Sequence, residues 1–262
     1  MGLGRLLLVL LASSAVEAAD PRVGPDQIPA QLLKPDGPGP FPAVVMAHDC
    51  SGLGPKSGGA PRRWARELVS LGYVVILPDS FSTRGFPDGV CTDPSPRRIE
   101  VSPLRRARDV RDAAAYLRTL PYVDARRIGL MGGSHGGATT LNAMRSAGFA
   151  AAIALYPRCE NIRGVYRPSA PVRILTGEKD DWTPAEPCRK LAEEAGAAGQ
   201  PVSIKIYPGA HHAFDSPRPE RYVGARINPV APGGRGATTG GNPEAWADSR
   251  KEVAAFFAAH LR

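Results

Sequence analysis

The stretch Gly132-Gly133-Ser134-His135-Gly136-Gly137 decides the fold of this sequence. Residues 127–131, just before it, form a short apolar run typical of a strand, and residues 138–144 have the composition of a helix. A serine between a strand and a helix, with glycine two positions away on each side, is the pattern of a nucleophile elbow. Glycine is required there because the turn brings the backbone too close for side chains. A glycine-rich turn with a capping serine is the simpler alternative.

Apolar runs suited to buried strands alternate with helical segments along the whole chain. Such alternation predicts an α/β fold with a mostly parallel, doubly wound sheet flanked by helices, and the 262 residues suit a single domain. We expect strands at 29–33, 43–47, 74–77, 127–131, 150–155, 172–175 and 202–207, and helices at 61–71, 103–120, 135–144, 184–197 and 244–261. The glycine- and proline-rich segment 213–241 is too long for an ordinary connector, so it is either an ordered flap or a mobile loop.

A serine hydroxyl needs a histidine base, and the histidine needs a carboxylate to orient it. Asp180 follows a predicted strand and His212 follows the last one, which gives the chain order Ser, Asp, His of an α/β-hydrolase. Asp181 and His211 are adjacent alternatives; we favour Asp180 because it comes first after the strand turn, and His212 because Ala213-Phe214 follows it.

An oxyanion formed at the serine needs two N–H donors. The backbone N–H of His135, directly after the serine, is the first candidate. The N–H of Cys50, in the turn after the strand at 43–47, is the second candidate. The His135 side chain itself has no required role in this scheme.

Five segments in combination resemble the dienelactone hydrolase family of α/β-hydrolases, in particular its exported members with a serine nucleophile. They are His48 to Gly52, Asp79 to Phe81, Gly132 to Gly137, Gly177 to Pro184 and Tyr207 to Asp215. The resemblance runs from about Pro29 to the end of the chain and supports Ser134, Asp180 and His212 as a catalytic triad. The founding members of the family use a cysteine nucleophile where this chain has Ser134, so the resemblance implies hydrolysis of an ester-like bond but does not identify a dienelactone as the substrate.

The resemblance also implies residues that contact the substrate. Asp49 stands where the family has an acidic residue beside the nucleophile, and Arg84 lies in the loop from which the family supplies an arginine to a substrate carboxylate. We therefore expect Arg84 to overhang the pocket mouth, with pairing to Asp88 or simple solvation as the alternatives. Trp182 is a further candidate for substrate binding.

The four cysteines allow three pairings. Each follows a predicted strand on the side of the sheet that carries the serine, and on this basis we expect Cys50–Cys91 and Cys159–Cys188. Four free thiols or one bridge remain alternatives. No C-x-x-C or H-E-x-x-H motif occurs, which disfavours a metal site, and no cofactor is expected.

The first 18 residues have the form of a signal peptide: a basic start, an apolar run at 6–16, and Val16-Glu17-Ala18 as a cleavage site. We therefore expect export to the periplasm or medium, a hydrolase domain at 19–262, and no membrane span. The net charge of +8 reflects an arginine-rich surface and could favour an anionic substrate. No basic run interleaved with aromatics suggests nucleic-acid binding, and the oligomeric state stays open.

The sequence thus predicts a serine hydrolase that cleaves carboxylic esters or lactones through an acyl-enzyme on Ser134. A serine peptidase of prolyl-oligopeptidase type is an alternative, because Gly-Gly-Ser-x-Gly-Gly also resembles elbows of that family. A catalytically silent binding protein on the same fold is the second alternative.

Overall fold

A computed structural model describes residues 17–18 and 20–261. Most of the predicted signal peptide, residues 1–16, therefore lies outside the described residues. Its last two positions form the short strand β1 (Glu17–Ala18), which pairs with β3.

The described chain forms one nine-stranded, mostly parallel sheet flanked by helices, as the sequence predicts. From edge to edge the strands run β1, β3, β5, β4, β6, β7, β8, β9, and β2 pairs with β3. β1, β2 and β5 pair antiparallel with β3, and every other neighbouring pair is parallel. The bounds are β2 (Arg22–Val23), β3 (Ile28–Leu33), β4 (Phe41–Ala47), β5 (Val74–Pro78), β6 (Val123–Gly133), β7 (Ala151–Leu155), β8 (Val172–Gly177) and β9 (Val202–Tyr207).

Five α-helices cover the two faces of the sheet in the described chain. They are α1 (Ala60–Ser70), α2 (Pro103–Arg118), α3 (His135–Ala143), α4 (Ala185–Ala197) and α5 (Pro243–His260). The buried residues of α2, α3 and α4 pack in one apolar cluster, and those of α1 and α5 pack in a second. Strand β4 contributes Ala43, Val45 and Ala47 to the first cluster and Val44 and Met46 to the second. This period of two, with both faces apolar, is what a central parallel strand requires.

Two details of helix packing differ from the sequence prediction. The spacing of apolar residues predicts a buried stripe on α2 that begins at Leu104, but Leu104 is 71% exposed, and the apolar packing of this helix begins one turn later at Ala107. The spacing in α5 predicts Val253, Phe256, Phe257 and Leu261 inward; Phe256 is only partly buried, and the other three are buried.

The segment 213–241 is ordered and forms a hairpin of β10 (Arg221–Ile227) and β11 (Arg235–Thr239). The Asp181 carboxylate accepts hydrogen bonds from the backbone N–H and hydroxyl of Thr238, at 2.8 and 2.9 Å. The N–H of Ile227 donates to the carbonyl of Cys91. Of the two alternatives left open by the sequence, the structure has the ordered flap.

Candidate active site

Ser134 stands at the sharp turn between β6 and α3, with a backbone φ of 55°. An L-residue adopts this conformation only at a cost, so neighbouring packing must hold it. A Cβ on Gly132 would lie 2.4 Å from the carbonyl oxygen of Gly136, and a Cβ on Gly136 would lie 2.0 Å from that of Ala47. Only glycine fits at these two positions. The local structure is therefore the elbow that the motif predicts.

The structure brings Ser134, His212 and Asp180 into one hydrogen-bonded chain. Ser134 Oγ lies 2.9 Å from Nε2 of His212, and Nδ1 of His212 lies 2.8 Å from Oδ2 of Asp180. All three side chains are buried. Asp180 also accepts backbone N–H bonds from Trp182 and Thr183, which fix its carboxylate. In this arrangement the His212 Nδ1–H donates to Asp180, which leaves Nε2 free to accept the serine proton.

The two adjacent alternatives have other partners. Asp181 binds Thr238 of the hairpin, as described above. His211 Nδ1 lies 2.7 Å from a carboxylate oxygen of Glu220. Adjacent residues on these loops point in different directions, so among the four it is His212 that reaches Ser134 and Asp180 that reaches His212.

Two aromatic rings pack against His212. The Tyr156 and Trp182 rings each lie 4.7 Å from it, between ring centroids. The Tyr156 hydroxyl donates to Asp215, whose other carboxylate oxygen accepts from the Trp64 indole N–H. Burial raises the pKa of Asp215 above its ordinary value. The sequence did not single out Tyr156 or Asp215, although Tyr156 directly follows the strand expected at 150–155 and Asp215 ends the segment that begins at Tyr207.

The two candidate oxyanion donors flank the serine. Cys50 follows β4 and His135 begins α3, and both residues line a cavity next to Ser134. Within the described chain, neither backbone N–H donates to a carbonyl outside the regular helices and strands.

Two cavities meet at Ser134 on either side of the Cys50–Cys91 disulfide. Cavity A, of about 290 Å³, is lined by Asp49, Trp182, His212 and the hairpin, including Arg226. Cavity B, of about 460 Å³, is lined by His135, Arg98 and Arg158. Cysteines 50 and 91 and Trp182 line both cavities. Trp182 and Asp49 are thus placed where the sequence analysis expects substrate contacts.

Arg84 does not overhang either cavity, contrary to expectation. Its guanidinium binds both carboxylate oxygens of Asp109, at 2.6 and 2.9 Å, and Asp26 at 3.0 Å. The hydrogen bond to Asp109 is the largest of the effects that raise the pKa of Arg84. Asp88, the alternative partner, pairs with Lys56 instead. The prediction was wrong because a buried carboxylate on α2, invisible in the local sequence, captures the guanidinium.

An arginine of the hairpin, Arg226, lines cavity A instead. The Arg226 guanidinium carbon lies 5.0 Å from the centroid of the Trp182 ring, and its buried Nε has no hydrogen-bond partner. Burial lowers the pKa of Arg226. Arg226 could not be predicted from the sequence because the segment 213–241 carries no periodic signal that fixes its side-chain directions.

The structure contains both expected disulfides, Cys50–Cys91 and Cys159–Cys188. Over the described residues, no group of three or more His, Cys, Asp or Glu side chains is placed to hold a metal ion. Likewise, none of the described helices combines the length and apolar character needed to cross a membrane.

The family model of the dienelactone hydrolase family matches residues 28–261. The chain belongs to the dienelactone hydrolase family. It is 26% identical to the "Putative carboxymethylenebutenolidase" of Yersinia pestis over 209 residues, which cover 73% of this chain and 75% of that protein.

Solved structures agree with the dienelactone hydrolase fold. The "Putative Dienelactone Hydrolase" of Klebsiella pneumoniae subsp. pneumoniae MGH 78578 superposes with a TM-score of 0.70 at 24% identity, covering 94% of this chain and 98% of that one. The acylaminoacyl peptidase of Pyrococcus horikoshii superposes with a TM-score of 0.63 at 17% identity, covering 92% of this chain but 41% of that one. The two likenesses show a shared α/β-hydrolase fold, and the protein is a member of a hydrolase family.

Proposed function

We propose that this protein is a serine hydrolase that cleaves carboxylic esters or lactones through an acyl-enzyme on Ser134. The observation that carries the proposal is the continuous hydrogen-bonded chain from Ser134 Oγ through the His212 ring to Asp180. The likeness to a carboxymethylenebutenolidase supports an ester or lactone bond as the target.

The geometry supports the usual two-step reaction. His212 Nε2 takes the proton of Ser134 while Oγ attacks the substrate carbonyl, and the N–H groups of Cys50 and His135 receive the oxyanion. The tetrahedral intermediate collapses when His212 returns the proton to the leaving alcohol oxygen. Water then attacks the acyl-enzyme by the same route and releases the acid. Asp180 stabilises the imidazolium in both steps, while Asp49 and Trp182 contact the substrate in cavity A.

We infer further that the substrate is a small molecule with an anionic group. Arg226 lines cavity A, and Arg98 and Arg158 line cavity B. Of these, Arg226 and Arg98 have a buried Nε without a partner. A guanidinium can bind a carboxylate through two parallel N–H bonds, which Arg84 cannot supply here because Asp109 occupies it.

A serine peptidase is the second candidate, supported by the shared fold with the acylaminoacyl peptidase. Esters and peptides pass through the same acyl-enzyme, so the two candidates differ in the leaving group rather than in the triad. Matched ester and amide substrates with one acyl group separate the two activities.

The test begins with labelling by a fluorophosphonate, followed by a panel of chromogenic esters, lactones and aminoacyl anilides. We expect labelling of Ser134 and turnover of esters. Ser134→Ala should abolish labelling and lower kcat by about 10⁴-fold or more. Ser146→Ala, at an exposed serine, is the matched control and should behave as wild type. Folded protein that is neither labelled nor active would instead support a silent binding protein.

We also propose that residues 1–18 act as a signal peptide and that the mature hydrolase domain spans 19–262. The two disulfides support this, since such bridges persist in oxidising compartments. Cell fractionation with N-terminal sequencing tests it: a cytoplasmic protein that retains Met1 would contradict the proposal.

A further inference from the structure

Arg106 is a fully buried cation without a contacting counter-ion. It lies on α2, has no solvent-exposed surface, and forms no ion pair with any carboxylate of the described chain. The nearest candidate on its own helix, Asp109, is bound to Arg84. Burying a charge without a contacting counter-ion is costly, and here Asp109, Asp49 and Asp79 offset part of that cost from a distance.

The guanidinium of Arg106 bridges the two segments that carry the proposed oxyanion donors. One nitrogen, Nη2, donates to the carbonyl of His48 at 2.8 Å, two residues before Cys50. The other, Nη1, lies 2.7 Å from Nδ1 of His135, the first residue of α3. Because the guanidinium is planar and rigid, these two bonds fix the separation between the segments.

The surroundings leave Arg106 as the charged group of this cluster. The Phe81 ring lies under it, with 4.8 Å from the ring centroid to the guanidinium carbon, and packs edge-on against His48 and His135. Burial, and then the charge of Arg106, lower the pKa of both histidines, so both are neutral. Neutral His135 accepts the Arg106 bond at Nδ1 and carries its proton on Nε2.

Burial also lowers the pKa of Arg106 itself, to about 10, which leaves the guanidinium charged at neutral pH. Asp109, Asp49 and Asp79 act at longer range in the opposite direction. A fixed positive charge in a water-excluded site acts strongly on negative charge that develops nearby.

We propose that Arg106 is a positioning residue that sets the spacing of the Cys50 and His135 N–H groups and supplies positive charge behind the oxyanion. The inference rests on the proposed acyl-enzyme reaction. It assigns Arg106 to the transition state rather than to substrate binding, so its removal should lower kcat and leave KM nearly unchanged.

Two variants separate the charge from the geometry. Arg106→Lys keeps a charge but cannot span both acceptors, and we expect kcat to fall about tenfold. Arg106→Gln removes the charge, and we expect about a hundredfold loss, which is comparable to the loss of one direct oxyanion donor. Arg105→Gln, at the exposed neighbour on the same helix, is the control and should keep wild-type kcat.

A readout beyond activity distinguishes this role from a purely structural one. An alkylboronic acid forms an anionic tetrahedral adduct with a serine, so its affinity should fall by the same factor as kcat, while KM stays within about threefold of wild type. His135→Ala, which removes one acceptor but keeps Arg106, serves if Arg106→Gln does not fold; we expect a smaller loss of kcat and of boronate affinity.

Unchanged boronate affinity in the folded variants, or a raised KM with normal kcat, would overturn the role of Arg106. Failure of the proposed function gives a different result: the wild-type protein would bind no boronate at Ser134 and react with no fluorophosphonate.

Discussion

The strand ends and the hairpin border the same cavity but are built differently. Ser134, Asp180 and His212 follow strands and are buried, and the elbow is fixed by backbone contacts that exclude any side chain at Gly132 and Gly136. The hairpin is joined to the strand-end loops by hydrogen bonds, such as the two from Thr238 to Asp181, and by Ala237, which packs in a small apolar cluster with Cys91 and Trp182. From this difference we expect the proposed triad to depend on packing at the strand ends, and the proposed substrate selection to depend on the hairpin.

The largest expected effect tests whether the proposed reaction depends on the side chains at the strand ends. His212→Ala should lower kcat by about 10⁴-fold or more, because no other imidazole reaches both Ser134 and Asp180. His211→Ala, which loses only a partly exposed pair with Glu220, should retain activity within a fewfold of wild type. Steady-state ester kinetics on both proteins measure this effect. Equal losses of kcat would show that His212 is wrongly assigned as the base.

The next prediction compares the two disulfides, of which only one borders the cavities. Removing either bridge by paired alanine substitution should lower the free energy of unfolding by about 2–5 kcal/mol, measured by urea denaturation. The Cys50–Cys91 variant should also lose kcat, because Cys50 carries a proposed oxyanion donor and both cysteines line the cavities. The Cys159–Cys188 variant should keep its kcat while folded. If the Cys159–Cys188 variant lost kcat and the Cys50–Cys91 variant kept it, Cys50 would not be the oxyanion donor.

Substrate selection by the hairpin is tested with a matched pair of anionic and neutral esters. Arg226→Gln should lower the ratio of kcat/KM for the anionic over the neutral ester by about 10- to 100-fold, the value of a charge-assisted hydrogen bond. Arg84→Gln should leave that ratio unchanged, since its guanidinium binds Asp109 and Asp26, and should only destabilise the fold. A fall of the ratio in the Arg84 variant alone would reverse the assignment.

The smallest effect concerns acid stability of the loop beside β4. Burial holds the pKa of His48 well below 6.5 in the folded state, so the unfolded chain binds one more proton below that pH. The contribution of His48 to the free energy of unfolding should therefore be constant above pH 6.5. As the pH falls below 6.5, this contribution should decrease by about 1.4 kcal/mol per pH unit until the pKa of His48 in the folded state is reached. His48→Gln, which keeps a donor and an acceptor, should reduce the slope by that amount. An unchanged slope in denaturation series at pH 4.5–7.5 would contradict it.

The local sequence was enough to predict the structure wherever the residues that form a motif and the residues that fix its geometry lie in one short segment. The strand, the glycines and the helix around Ser134 lie within about a dozen residues, so the elbow could be predicted with its flanking elements. The parallel sheet followed from alternating apolar runs, and the positions of Asp180 and His212 followed from the ends of those runs. Helix ends were displaced by a residue or two, as expected where capping competes with fraying.

Tertiary structure alone decided where the arginines act. Arg84, Arg106 and Arg226 are chemically identical in the sequence, yet each has different partners. Arg84 binds Asp109. Arg106 binds the His48 carbonyl and His135, and Arg226 packs against the ring of Trp182. Long flexible side chains take their direction from partners that are distant along the chain, which no local pattern encodes. The sequence by itself determined the elbow and the positions of Ser134, Asp180 and His212 at strand ends, because backbone geometry is dictated by neighbouring residues. The counter-charges and cavity walls were fixed only when packing brought α2 and the hairpin to the strand ends.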